Sequence, residues 1–195
     1  MQGGPSPIAS PTPTATATAS PSPTATATAT PCVAGYTITQ IGSGIVPGTT
    51  DIGNHCDDCT TTIALLFAYT LYDQTYTSVN LSSNGNAQFV TNSNAFTNEC
   101  LPSTTINSYG ISPYWDDLYT VNAGYGIFTS ISGTAPDRIF NIEWRNQYYP
   151  RSGTANFELR LYEGQSRFDI IYGTLTNANT SVTAGVRRDN TSFTQ

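Results

Sequence analysis

Between Arg138 and Tyr172, apolar and polar side chains alternate with a period of two through three successive runs. Phe140, Ile142 and Trp144 interleave with Ile139, Asn141, Glu143 and Arg145. Phe157, Leu159 and Leu161 interleave with Glu158, Arg160 and Tyr162, and Phe168, Ile170 and Tyr172 with Arg167, Asp169 and Ile171. Successive strand side chains point to opposite faces, so this spacing predicts an antiparallel meander with one apolar face on a core. The opposite face carries charges of both signs and reads as a solvated surface. Its cross-strand pairs are worth about 0.2–1 kcal/mol each. Similar short runs predict strands at Tyr36–Ile41, Thr60–Tyr69, Tyr76–Leu81, Ala87–Val90, Ile111–Tyr114, Gly126–Ile131, Arg138–Arg145, Phe157–Glu163, Arg167–Tyr172 and Ser181–Val186. Turn chemistry such as Asn84-Gly85, Gly133-Thr134-Ala135-Pro136, Arg151-Ser152-Gly153 and Glu163-Gly164 separates them. No stretch holds a helical period. The pattern predicts an all-β chain whose main part is an antiparallel β-sandwich.

The first 31 residues follow another rule, which divides the chain into a Thr/Ala/Pro-rich extended tail, 1–31, and a sandwich domain, 32–195. From Gly4 to Pro31 there is no charge, no aromatic and one large aliphatic, Ile8. Such a segment buries too little to offset an ordering cost of about 1–2 kcal/mol per residue, which predicts an extended stalk with hydroxyls open to glycosylation. From Pro11 to Pro31, however, Ala or Pro at odd positions alternates strictly with Thr or Ser at even ones. That is a strand period. It marks Thr14, Ala15, Thr16, Ala17, Thr18 and Ala19, then Thr24, Ala25, Thr26, Ala27, Thr28 and Ala29, as segments able to pair with another subunit by strand addition. Spacer and assembly tail both stay open.

Charge narrows the partners. Charged residues make up 10% of the chain and the formal charge is -6; the seven basic residues are all Arg. Without a basic stripe, nucleic acid and anionic lipid are disfavoured. No apolar run approaches the ~20 residues of a membrane span. The opening MQGGPSPIAS has neither the charged nor the apolar region of an export signal. Thr, Ser, Asn, Gly and Tyr fill the place of charge, a composition suited to an extracellular or cell-surface all-β protein.

Several segments together resemble a known family. Leu71-Tyr72-Asp73-Gln74-Thr75-Tyr76-Thr77-Ser78-Val79 and Ser82-Ser83-Asn84-Gly85-Asn86-Ala87-Gln88-Phe89 come first, then Ile111-Ser112-Pro113-Tyr114-Trp115-Asp116-Asp117-Leu118. Phe140-Asn141-Ile142-Glu143-Trp144, Phe157 through Gly164, Phe168 through Gly173 and Gly185-Val186 follow in order. This succession resembles nidogen-like (NIDO) extracellular domains, and also bacterial surface proteins whose modules follow Thr/Pro/Ala stalks. The resemblance implies an adhesion or matrix module without catalytic residues. The segment Thr50–Cys59 and the cysteine pattern depart from it.

Cys32, Cys56, Cys59 and Cys100 read as structural disulfides. Joining Cys56 or Cys59 to Cys100 closes a loop of about 40 residues, worth about 3–4 kcal/mol in the chain-entropy model, with Cys32 left for the remaining member. A zinc set of His55, Cys56, Cys59 and Cys100 and a thioredoxin-like pair are weaker readings. His55, the only histidine, has no nucleophile elbow to serve. No catalytic residue is therefore expected, and no resident cofactor. Asp57, Asp58, Asp116 and Asp117, with Asp51, are candidate calcium ligands if their loops converge, and turn-capping residues otherwise. Trp115, Tyr119, Tyr125, Tyr148 and Tyr149 are candidate ligand-loop aromatics for a glycan or matrix protein, although Trp115 also suits a core position at a sheet end. Asn80, Asn179 and Asn190 begin glycosylation triplets. These features predict self-association through the tail, with glycan or matrix-protein adhesion as the alternative.

Overall fold

In the computed structural model, Met1, residues 35–177 and residues 181–195 are described; the Ala/Thr runs of the tail and Cys32 lie outside them. Twelve strands run β1 (Thr50–Asp51), β2 (Thr60–Leu71), β3 (Gln74–Ser82), β4 (Asn86–Gln88), β5 (Gly110–Trp115), β6 (Leu118–Tyr119), β7 (Gly126–Ser132), β8 (Ile139–Tyr148), β9 (Ser152–Tyr162), β10 (Phe168–Leu175), β11 (Thr183–Arg187) and β12 (Phe193–Thr194). They form two antiparallel sheets packed as a sandwich. One has the order β1-β7-β8-β9-β10, with β6 also on β8; the other has the order β12-β11-β5-β4-β3-β2. No helix among the described residues is long and apolar enough to cross a membrane.

The meander pattern places the core. Phe140, Ile142, Trp144, Phe157, Leu159 and Leu161 all face the second sheet, where Val79, Leu81, Ile111 and Tyr114 meet them. Trp144 stacks on Phe157 with ring centroids 5.3 Å apart. Its indole N–H donates to the Ser82 carbonyl at 2.9 Å, which gives this buried polar atom a partner. The Asn84-Gly85 turn that follows β3 needs glycine at its second position. There φ is +74°, and a Cβ would meet the Tyr114 carbonyl oxygen at 2.0 Å. Asn84 does not share the positive φ. Its side chain instead donates to Asp58 at 2.9 Å and accepts from the Leu118 amide at 2.9 Å.

Two sequence expectations change here. The segment Tyr36–Ile41 is not a strand. It begins a strap in which Tyr36 packs against Tyr72 and Phe168, with centroids 4.9 and 5.0 Å away, and its hydroxyl donates to the Ser166 carbonyl. The charged face of the meander is likewise not solvated, because residues 43–48 of the strap cross it. Glu143 and Glu158 stand directly opposite each other on β8 and β9, and both are buried. The amide of Gly48 donates to Glu143 at 2.8 Å and that of Val46 to Glu158 at 2.6 Å. Arg145 pairs with Glu143 at 2.6 Å and donates to the Gly48 carbonyl at 2.8 Å. Arg160 pairs with Glu158 and reaches the Ser43 hydroxyl and the Gly44 carbonyl. Buried charges require partners, and alternation alone cannot say that a distant segment supplies them.

The outer face of the other sheet is covered in part, over β4, β5 and β11, by the long connection from Phe89 to Tyr109. Gln88 holds it with three bonds: its amide nitrogen donates to the Ser93 carbonyl, and its oxygen accepts from the Thr91 hydroxyl and the Ser93 amide, while a fourth bond from the nitrogen goes to Asn86 on its own strand. Trp115 lies beneath this cover, donating to the Ala95 carbonyl at 3.0 Å.

Candidate functional site

The sequence around Cys56-Asp57-Asp58-Cys59 closes on itself. Cys56 and Cys59 form a disulfide with their Cα atoms 6.0 Å apart, inside the bridging range. This corrects the expected link from either residue to Cys100, which is a free, exposed cysteine on the Phe89–Tyr109 cover. The zinc set is not assembled either, since two of its members are oxidised and His55 pairs with Asp51 at 2.8 Å. That bond raises the His55 pKa above its ordinary value.

The small disulfide loop turns both of its aspartates outward toward Asp117, which follows β5. Ligand oxygens of Asp57, Asp58 and Asp117 come within 4.8 Å of one another. Asp58 adopts a left-handed backbone, with φ of 54°. Its carbonyl accepts from Asn94 at 2.7 Å and its carboxylate from Asn84 at 2.9 Å. Burial, followed by repulsion from Asp58, Asp57 and Asp116, pushes the Asp117 carboxyl up to about 6. Asp57 is raised by burial and by Asp58, against some relief from Arg151. Three carboxylates gathered this closely are the donor chemistry of a hard cation such as calcium. Of the five aspartates expected to converge, Asp51 is held by His55, and Asp116 accepts from the Ser181 hydroxyl and the Asp117 amide. Neither joins the cluster. The three that do line a depression of about 180 Å³ together with Phe96 and Tyr149.

The candidate ligand-loop aromatics divide. Trp115, Tyr119 and Tyr148 are buried, because β5, β6 and β8 run on through them. The hydroxyls of Tyr148 and Tyr114 share a hydrogen bond of 2.9 Å, and Arg151 lies over the Tyr119 ring at 5.1 Å. Tyr149 is open to solvent. Tyr125 is half-buried and lines a second depression of about 310 Å³ with Glu143, Arg145, Thr154 and Asn156. Phe96, exposed beside the carboxylates, escaped sequence reasoning because nothing marks one aromatic within a polar connection. Asn80 of the first glycosylation triplet is engaged by the Thr91 carbonyl, Asn190 is exposed, and Asn179 lies outside the described residues.

These features define a double-sheet, disulfide-bearing β-sandwich with a segment of chain crossing each outer face. A NIDO-related family model matches residues 32–195, and the chain belongs to that family. Comparison with curated proteins and with solved structures found no match. Family and disulfide together suit an extracellular module.

Proposed function

We propose that this protein is a non-catalytic extracellular structural module, a rigid bead that assembles into a surface filament through its tail. The observation that carries this reading is the strap. Residues 36–48 join the tail to the domain and are clasped along one face by Glu143, Arg145, Glu158 and Arg160, with Tyr36 wedged between Tyr72 and Phe168. A pull on the tail is therefore met by buried ion pairs and aromatic packing before it reaches the strands, which suits a load-bearing link better than a loose tether. The uncharged, alternating tail supplies the extended segments that strand-mediated assembly uses. Electron microscopy of the full chain beside one truncated to begin at Cys32 tests this. Filaments that vanish on truncation support it, and monodisperse particles from both chains overturn it.

A second reading is adhesion, favoured by the depression where exposed Phe96 and Tyr149 flank Asp57, Asp58 and Asp117. A cation on the carboxylates would neutralise the site and leave two apolar rims for a glycan or protein ligand. Retention of a monomer on a glycan array, lost with chelator, supports this reading; retention unchanged by chelator removes the cation from it.

A further inference from the structure

We propose that the open edge of β2 is the acceptor for an Ala/Thr segment, Thr14–Ala19 or Thr24–Ala29, of a second copy of this chain. This rests on the tail-mediated assembly proposed above and names the surface that the tail engages.

The terminal strands of the two sheets are unequal. β1 and β12 have two residues each, too short to template a partner. β10 has eight and carries Asp169, which is paired with Arg167 just outside the strand. Such charges are the usual block against edge pairing. β2 has 12 residues, TTTIALLFAYTL, without a charge, a proline or a glycine. Among the described residues its only strand partner is β3. Burial points the same way. On β3, one strand further in, the core residues Val79 and Leu81 are sealed. On β2, Ile63, Leu65 and Phe67 pack against the same core but stay half-buried, whereas Tyr69 and Leu71 at the far end of the strand are sealed, so the unfinished part of this edge is its first arm. A further strand would finish that layer.

The chemistry of the occupant follows from the edge. It has to be extended and uncharged, with small side chains on the inward face. Ala at every second position provides that face, and Thr at the alternate positions lies beside Thr60 and Thr62, whose hydroxyls donate to Asn92 and Asn80 and keep lone pairs to accept from a neighbour. A six-residue run spans about 20 Å. That covers the regular arm of β2, where Thr60 to Ala64 pair one for one with Ser82 to Ser78 before the register shifts. Each copy offers one such edge and carries the donor runs, so donor and acceptor are different surfaces. A contact of that kind propagates into an open filament instead of closing as a dimer.

The test uses the full chain, with assembly followed by light scattering and electron microscopy and backbone protection by amide hydrogen exchange. Ala64→Lys and Thr62→Lys each place a charge on the open edge at an exposed position. Each is expected to raise the concentration for half-assembly by roughly tenfold or more while leaving the thermal melt unchanged. The A17P/A27P double variant, which interrupts both donor runs, is expected to do the same. Thr174→Lys, exposed on β10, is expected to change nothing. Amides of residues 60–64 gain protection in the assembled state. Filaments that survive both lysine variants overturn the acceptor and leave tail-mediated assembly standing. Filaments that survive A17P/A27P with β2 protected show edge-to-edge pairing of β2 and overturn the occupant. Protection of β2 in a chain that stays monomeric shows a tail folded onto its own domain and overturns the second copy. A wild-type chain that never assembles overturns the assembly reading itself.

Discussion

Each outer face of the sandwich is crossed by a segment of chain, and the two segments are held by opposite means. Over β8 and β9 the strap lies on paired charges, Glu143 with Arg145 and Glu158 with Arg160, which also bind its backbone. Over β4, β5 and β11 the Phe89–Tyr109 cover lies on neutral amides and hydroxyls, with one buried cation, Arg187. Arg187 donates to the Ser103 carbonyl and to Asn190, while its Nε, buried, has no partner. A fixed charge holds a segment strongly only where its counter-charge is buried beside it; elsewhere the desolvation cost is left uncovered. The strap is accordingly expected to be the stiffer cover, which matches its place between tail and domain.

Replacing each arginine by methionine separates the two cases. Arg160→Met leaves Glu158, with its fully buried side chain, without its cation. The expected cost is about 3 kcal/mol, a drop of roughly 10 °C in Tm for a chain of this size. Arg187→Met removes a poorly partnered charge and is expected to stay within about 1 kcal/mol of the parent. Calorimetry of both variants checks the comparison, and equal losses would break it. Gln88→Leu lies between them. It strands the Ser93 amide and the Thr91 hydroxyl and should cost about 2 kcal/mol, with faster exchange confined to residues 90–96.

Acid tests the same contrast more gently. Glu99 accepts from the Ser103 hydroxyl, which does most to hold its carboxyl down at about 2, with the Thr104 and Thr105 amides adding to the effect. A carboxyl depressed in the folded state stabilises above its ordinary value of 4.5 and loses that contribution as pH falls toward 2. The protection factors of the Thr104 and Thr105 amides, taken against intrinsic exchange at each pH, should fall about fivefold across that window, a modest effect because solvent screens the half-buried Glu99. The strap should respond less. Burial raises Glu143, but Arg145, the Gly48 amide and Asn156 outweigh it and hold the group below its ordinary value. Burial keeps Glu158 above its own, despite Arg160 and the Val46 amide. Glu143 loses its contribution as pH falls, whereas that of Glu158 is present in acid and lost as pH rises, so the two oppose each other.

Period-two alternation located nine of the ten expected strands and the core face of the meander, because inward and outward residues differ in kind wherever one face is buried. It missed β1, β6 and β12, two residues each, which have no room for a pattern. It also misread Glu143, Arg145, Glu158 and Arg160 as solvated, since a face covered by a segment about a hundred positions away looks the same locally as one covered by water. The Asp57, Asp58 and Asp117 cluster was legible in its residue types alone. Its membership depended on the disulfide loop and the Asn84 bonds, which are tertiary.

The smallest expected effect lies where the neutral cover meets that cluster, through the Asn94 bond to the Asp58 carbonyl. Asp117, raised to about 6 by burial and its acidic neighbours, is a carboxyl whose folded state favours the proton. Its stabilising contribution is present below its ordinary value of 3.8 and is lost as pH rises through about 6, so at neutral pH the ionised group is a liability. Because the site is partly open, solvent screening reduces this to under about 1 kcal/mol. Asp117→Asn should therefore raise Tm by about 1–2 °C at pH 7 in chelator and by nothing at pH 4. If calcium occupies the cluster, adding it should raise the melting temperature of the parent but not of the variant. A variant that melts below its parent at pH 7 in chelator would mean that the Asp117 carboxylate makes a net favourable contribution there, and that its repulsion by Asp57 and Asp58 is the lesser force.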